Sequence, residues 1–359
     1  VALTLEEAGG WPAVIGQLMR GESLSSVVAA AALDDILEGN ATSAQIAAFA
    51  VGLRIKGETV EEMTGLVRAM LDHAEPVPLA ADLDVIDTCG TGGDRSHSIN
   101  VSTIAAFVAA GAGAKVCKHG NRAASSAAGS ADVLEALGVV IDLGPAGVAR
   151  CVAEAGMGFC FAPRYHAASR HAIPTRRELG VPTVFNFLGP LANPARPRRQ
   201  VVGVSDPAMA EKVLGVLASN GATRAMVVYG HDGLDELTTT DTSTVLSLEG
   251  GGGSDGVRTF VVDPVELGLE KASLDMLRGG DPAQNAELAR RVLAGEAGPH
   301  RDIVLLNAAA AITVAGLAPD LVAGLEAASA SVDSGAAAAV LERLAAVSQQ
   351  AGAGGPGPA

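Results

Sequence analysis

The sequence predicts an α/β protein: a small all-helical N-terminal domain followed by a larger domain on a mostly parallel central sheet. Three observations carry that expectation. From Trp11 to His73 each segment keeps a helical apolar period, with no strand-like alternation. From Leu83 onward, short apolar runs alternate with helical stretches, as in βαβ units. The polar, glycine-rich segments fall directly after apolar runs, where an open parallel sheet presents its ligand-binding edge.

The helical domain is expected over 1–78, with four helices in WPAVIGQLMRG, SLSSVVAAAALDDILEG, TSAQIAAFAVGLRIKG and TVEEMTGLVRAMLDHA. Thr42 and Thr59 stand where hydroxyls cap helix starts, and Gly39 and Gly57 where helices stop. Pro76 and Pro78 mark a hinge-like linker, and 79–350 forms the α/β domain. Its first strand is read at Leu83–Ile86, ending in a glycine turn at Gly90, Gly92 and Gly93. Arg95 occupies the third glycine position of G-x-G-x-x-G, and no Walker A loop is present. Taken alone, the turn equally suits a tight strand-to-helix connection. Asn100, Ser102 and Thr103 open the next helix, either as ordinary caps or facing an anion or a metal-bound water.

A second apolar run leads into a loop, Lys118–Ser126, that gathers Lys118, His119, Asn121, Arg122, Ser125 and Ser126. The two loops together read as the walls of a phosphate cradle. A helix from Ser130 to Gly138, a strand at Val139–Leu143 and a helix from Pro145 to near Gly156 follow. The arginine-rich stretch after Pro163 is mostly helical by pattern, and Asn193–Arg199 reads as an exposed basic loop without a site. Strands at Gln200–Val204 and Ala225–Tyr229 flank a helix at Ala208–Ser219. GHDGLDEL then sets the adjacent carboxylates Asp235 and Glu236 at a strand's carboxyl end. Such oxygen ligands suit Mg²⁺, although neighbouring acids are also common on surfaces. Gly250–Gly256 is a flexible loop, 285–316 holds two helices with the second buried, and 351–359 is a low-complexity tail expected to be disordered.

The formal charge of −15 argues against a nucleic-acid partner, which demands a basic footprint. A phosphorylated substrate then needs a local basic pocket or a bound cation. Hydrophobic residues make up 48% of the chain, enough for a sizeable core although aromatics are scarce. Four cysteines without CxxC spacing read as buried small hydrophobes in a reducing compartment. There is no signal peptide or membrane-length apolar run, so a cytoplasmic protein with no membrane partner is expected. The chain begins at Val1 rather than Met, which leaves room for a missing N-terminal piece.

DTCGTGGD, NVST, KHGNRAASSAAGSADVLEALG, RRELGVPTVFNFLGPLANP and DGLDEL, in this order over nearly the whole chain, resemble the anthranilate phosphoribosyltransferases of tryptophan biosynthesis. The resemblance implies transfer of a 5-phosphoribosyl group from phosphoribosyl pyrophosphate to the amine of anthranilate, with Mg²⁺ and release of pyrophosphate. It assigns the phosphorylated sugar to Gly90, Gly93, Asp94, Asn100, Ser102, Thr103, Lys118, Ser125 and Ser126. Anthranilate falls to Gly90, His119, Asn121 and Arg176, and the metal to Ser102, Asp235 and Glu236. No general acid or base is assigned, because an aromatic amine is already a free base at neutral pH and positioning matters more.

The resemblance also implies a homodimer through the helical domain, which receives helices from about 164–188, and surface helices in PVELGLEKASLDMLRGGD. Arg176 offers a guanidinium fork to a carboxylate, or else pairs with Glu178 as a solvated helix arginine. His119 either faces anthranilate, held neutral by Lys118 and Arg122, or packs against backbone. Arg95–Ile99 is bulkier than the family's Gly-then-Thr-Phe, so Arg95 and His97 either touch phosphate or face solvent. Two rivals share the fold. A pyrimidine nucleoside phosphorylase would carry a K-x-S-G-R-G loop and lack the DGLDEL pair, and a silent nucleic-acid-binding relative would sit poorly with the acidic charge.

Overall fold

The computed structural model describes residues 3–80, 83–123, 127–250 and 256–353. Four helices open the chain: α1 (Gly10–Met19), α2 (Ser26–Leu37), α3 (Ser43–Lys56) and α4 (Val60–Asp72). Their starts are chemically defined. Ser25 caps α2, while Thr42 with Gln45 and Thr59 with Glu62 form reciprocal capping boxes on α3 and α4.

The sheet has seven strands in the order β3-β2-β1-β4-β5-β6-β7: β1 (Val85–Gly90), β2 (Lys115–Gly120), β3 (Met157–Phe161), β4 (Arg199–Gly203), β5 (Arg224–Gly230), β6 (Ser243–Glu249) and β7 (Val257–Val262). The first five strands pair in parallel, and β6 and β7 add antiparallel pairs at one edge. Crossovers are supplied by α5 (Val101–Gly111), α6 (Ser130–Ala136), α7 (Pro145–Ala155) and, later, α11 (Ala210–Ser219). Between β3 and β4 lie three short helices: α8 (Ala162–Tyr165), α9 (Ile173–Leu179) and α10 (Phe185–Leu188). The chain closes with α12 (Pro282–Leu293), α13 (Pro299–Ala315), α14 (Leu321–Asp333) and α15 (Ala336–Ala353).

Two apolar cores lie on opposite faces of the sheet. One buries α5, α7 and the alanine-rich α13. The other joins α1–α4 to α11 and to Ala172, Val184, Phe185 and Leu188 of the segment before β4. Both faces of the parallel strands are thereby covered, as such strands require.

Several expected elements differ. The first strand runs to Gly90 rather than ending at Ile86, because Asp87 inside it has partners for its carboxylate. Val139–Leu143 is not a strand. Val139, Ile141 and Leu143 are buried, but Ser348 meets the Val140 N–H and Tyr165 meets the Leu143 carbonyl, so side chains replace a ladder. PVELGLEKASLDMLRGGD forms no α-helix, only a single 3₁₀ turn at Leu274–Leu277, and its backbone bonds instead to the loop after β1. Asn193–Arg199 is not simply exposed: Asn193 is buried and Arg199 begins β4. Helix α15 continues through Ala351–Ala353, where disorder was expected; 354–359 lie outside the described residues, as does most of Gly250–Gly256. No described helix is long and apolar enough to cross a membrane.

Candidate active site

Strand β1 begins the sheet near its middle. The chain builds outward through β2 and β3 on one side and β4 and β5 on the other. The reversal of direction between β1 and β4 is a topological switch point, where strand ends splay and leave a crevice. A cavity of about 390 Å³ opens there, walled by the segments after β1 and β2, by Asp235 and Glu236 after β5, and by Asn186.

The acidic pair is held from beneath. Asp232 closes its loop by accepting from the Leu234 N–H at 3.1 Å and from the Thr238 and Thr240 hydroxyls. Asn307 of α13 clamps Leu237 at both backbone groups, at 3.0 and 2.8 Å. Asp235 Oδ2 then accepts from the Gly92 N–H at 2.7 Å, and Glu236 Oε1 from the Ser102 N–H at 3.2 Å. Gly90 and Gly203 make this seat possible. A Cβ on Gly90 would lie 2.2 Å from Asp235 Oδ2, and one on Gly203 only 1.6 Å from the Asp235 carbonyl oxygen.

Burial, with the Asp94 carboxylate next in weight, pushes Asp235 well above the ordinary carboxylate range. Glu236 is raised by burial and then by Asp235, against the opposing charge of Lys118. Burial and mutual repulsion thus oppose full ionisation of the pair, a penalty that a divalent cation would relieve. Among the described residues no three His, Cys, Asp or Glu side chains form a metal-holding group by themselves. Mg²⁺ takes one or two carboxylates and completes its shell with waters and substrate phosphates.

Lys118 and His119, expected in a loop, belong to β2 and are buried. The Lys118 ammonium reaches the Thr88 carbonyl and, at 3.3 Å, the Ser102 hydroxyl. His119 donates from Nδ1 to the Gly189 carbonyl at 3.1 Å, leaving Nε2 a buried nitrogen without a partner. Its pKa is pulled down to about 3, first by burial and then by His166, so the ring is neutral. The expected cause needs correction: Lys118 contributes only weakly, and Arg122 points away to Asp132 and Glu135 at 2.7 and 2.9 Å.

Gly90, Gly93, Asp94, Asn100, Ser102, Thr103 and Asn121 all line the cavity. Ser125 and Ser126 lie outside the described residues. Arg176 on α9 is not among the lining residues; it stacks over the Phe185 ring at 5.5 Å and has no carboxylate partner among the described residues. Its alternative pairing with Glu178 is therefore not made. Arg95 and His97 line the cavity with exposed side chains and positive φ values of 57° and 55°, uncommon outside glycine.

Sequence reading passed over four residues that support this arrangement. Asp87 is buried in β1 and accepts from Asn193 at 2.8 Å and from the His119 N–H at 3.2 Å. The others are Asn193, Asn285 and Asn307. A lone asparagine in the apolar run LLNAAAAIT was the available signal for Asn307, since a buried amide must find partners.

Residues 82–338 match the glycosyl transferase family a/b domain, and residues 12–74 match that family's helical bundle domain. The chain is 55% identical over 341 residues to the anthranilate phosphoribosyltransferase of Rhodococcus jostii (strain RHA1), covering 93% of this chain and 92% of the relative. The crystal structure of the Thermus thermophilus anthranilate phosphoribosyltransferase superimposes with a TM-score of 0.87 at 41% identity, covering 94% of this chain and 99% of that one. The Saccharomyces cerevisiae enzyme in complex with PRPP and Mg gives 0.85 at 29% identity, covering 95% and 98%. The chain belongs to the anthranilate phosphoribosyltransferases.

Proposed function

We propose that the cleft at the switch point binds phosphoribosyl pyrophosphate with Mg²⁺ and presents its anomeric carbon to the amine of anthranilate. The observation that carries this reading is the acidic pair pressed against Gly90, Gly92 and Ser102, so that carboxylates and anion-binding backbone share one wall. Asp235 and Glu236 would hold the metal, with the Ser102 hydroxyl beside them. When bound, the ion supplies positive charge to the departing pyrophosphate.

The chain's own residues do the rest. Gly92 and Gly93, both at positive φ, let backbone approach phosphate without side-chain hindrance. Lys118 brings a buried ammonium to the same wall, while Asn100 and Thr103 add polar groups at the start of α5. For anthranilate, the neutral His119 offers a bare ring nitrogen as acceptor, and Asn121 an amide. The half-buried Arg176 has a guanidinium free to take the carboxylate if the helical segment moves toward the cleft. No residue need remove a proton before attack; orientation and exclusion of water supply the rate.

The dimer is proposed to form through the helical domain, where Met19 and Ile55 are 83% and 82% exposed. Light scattering should report twice the chain mass, and a monomer at working concentration would exclude it. The principal experiment follows anthranilate fluorescence: it should fall only with phosphoribosyl pyrophosphate and Mg²⁺ both present. Loss of signal without either, or no loss with both, would refute the reading.

A further inference from the structure

We infer that Asn285, on α12 and 185 positions from Asn100, is a positioning residue for the donor site, acting by fixing the orientation of the Asn100 amide. The inference rests on the reading that Asn100 touches the phosphorylated sugar. A single chain of hydrogen bonds runs through both amides. The Gly280 N–H donates to Asn285 Oδ1 at 2.7 Å, Asn285 Nδ2 donates to Asn100 Oδ1 at 2.9 Å, and Asn100 Nδ2 donates to the Ala128 carbonyl at 3.0 Å.

Both ends of this chain are backbone groups whose donor or acceptor character cannot change. Neither amide can therefore flip without facing oxygen against oxygen or N–H against N–H. With its sense fixed, Asn100 has one N–H and one lone pair left over in a residue that lines the cleft. The same turn is tied to the loop after β1. Ile99 N–H meets the Leu277 carbonyl at 3.0 Å, and Gly279 N–H meets the His97 carbonyl at 2.8 Å. Asn285 is 3% exposed, and a Cβ on Gly279 would come within 2.4 Å of its Oδ1, so the amide has little room to turn. It thus joins the loops after β1 and β2 from outside the cleft.

The test is Asn285→Asp, nearly isosteric, which keeps the acceptor for Gly280 and removes the donor to Asn100. Steady-state kinetics should show KM for phosphoribosyl pyrophosphate raised about tenfold, with KM for anthranilate and kcat within about twofold. Asn285→Ala, with its melting temperature recorded, serves as second variant should the aspartate fail to fold, and should give the same split. The decisive arm is the Asn100→Ala background, where changing Asn285 should raise KM no further. An equal rise in that background, or no rise in the wild-type background while Asn100→Ala alone raises KM, overturns the inference and leaves the donor site standing. If Asn100→Ala leaves KM unchanged, the assignment of Asn100 itself fails, and the inference with it.

Discussion

Two sets of buried carboxylates show how differently one chemistry is used in the two halves of the molecule. In the helical domain, Glu62 is fully buried and completely answered. It accepts from the Leu24 N–H, the Thr59 N–H and hydroxyl, and the Lys56 ammonium, all within 3.0 Å. At the strand ends, Asp235 and Glu236 each receive one backbone N–H and face one another and Asp94, with the Lys118 charge in opposition at Glu236. The first arrangement is finished; the second leaves burial and repulsion largely unanswered. Burial of a charge therefore says little by itself, and the tally of donors separates a structural acid from a functional one.

The contrast is broken most severely at the acidic pair. Changing Asp235→Asn together with Glu236→Gln should lower magnesium-dependent turnover about a thousandfold. The metal-free protein should melt no lower than the wild type, because repulsion is removed along with the charge. Steady-state rates across a Mg²⁺ titration and melting curves check both halves, and a near-native rate would remove the pair from the site.

Glu62→Ala should do the opposite. It takes the carboxylate from Lys56, leaves the Leu24 and Thr59 N–H groups without an acceptor, and should cost about 3 kcal/mol in urea unfolding, while kcat and KM of the folded fraction hold.

Among the cations, Lys56 is paired and Arg176 is not. Arg176→Ala should raise KM for anthranilate about tenfold, with a smaller effect on the sugar donor. The reverse pattern would misplace it.

The smallest effect concerns His119, whose folded pKa of about 3 lies below the usual 6.5. The unfolded chain binds the extra proton between those values, so this contribution is complete above pH 6.5 and is lost as pH falls toward 3. Between pH 7 and pH 5.5 the wild type should lose about 1 kcal/mol more stability than His119→Asn. Equal losses by urea titration would show the ring to be exposed.

The helical domain was legible because its signals are local: Thr42 and Thr59 announce their helices through side chains three residues away. The strand-end glycines and the DE pair were legible as chemistry at the expected edge. What escaped depends on partners distant in sequence. Lys118 and His119 look like loop residues until Thr88, Ser102 and Gly189 supply their contacts. Val139–Leu143 has strand composition but no ladder, since Ser348 and Tyr165 take up its backbone groups. The supporting asparagines reach across 70 to 185 positions, and no window along the chain could anticipate their partners.

Gly90 and Gly203 face each other across the β1–β4 pairing, directly under the acidic loop. Replacing glycine with alanine is an ordinary route to a sturdier protein, since it restricts the unfolded chain. At these two places the added methyl would collide with Asp235 and lift the loop from its bed. Efforts to make this enzyme tougher must leave both floor positions bare and seek their gains elsewhere.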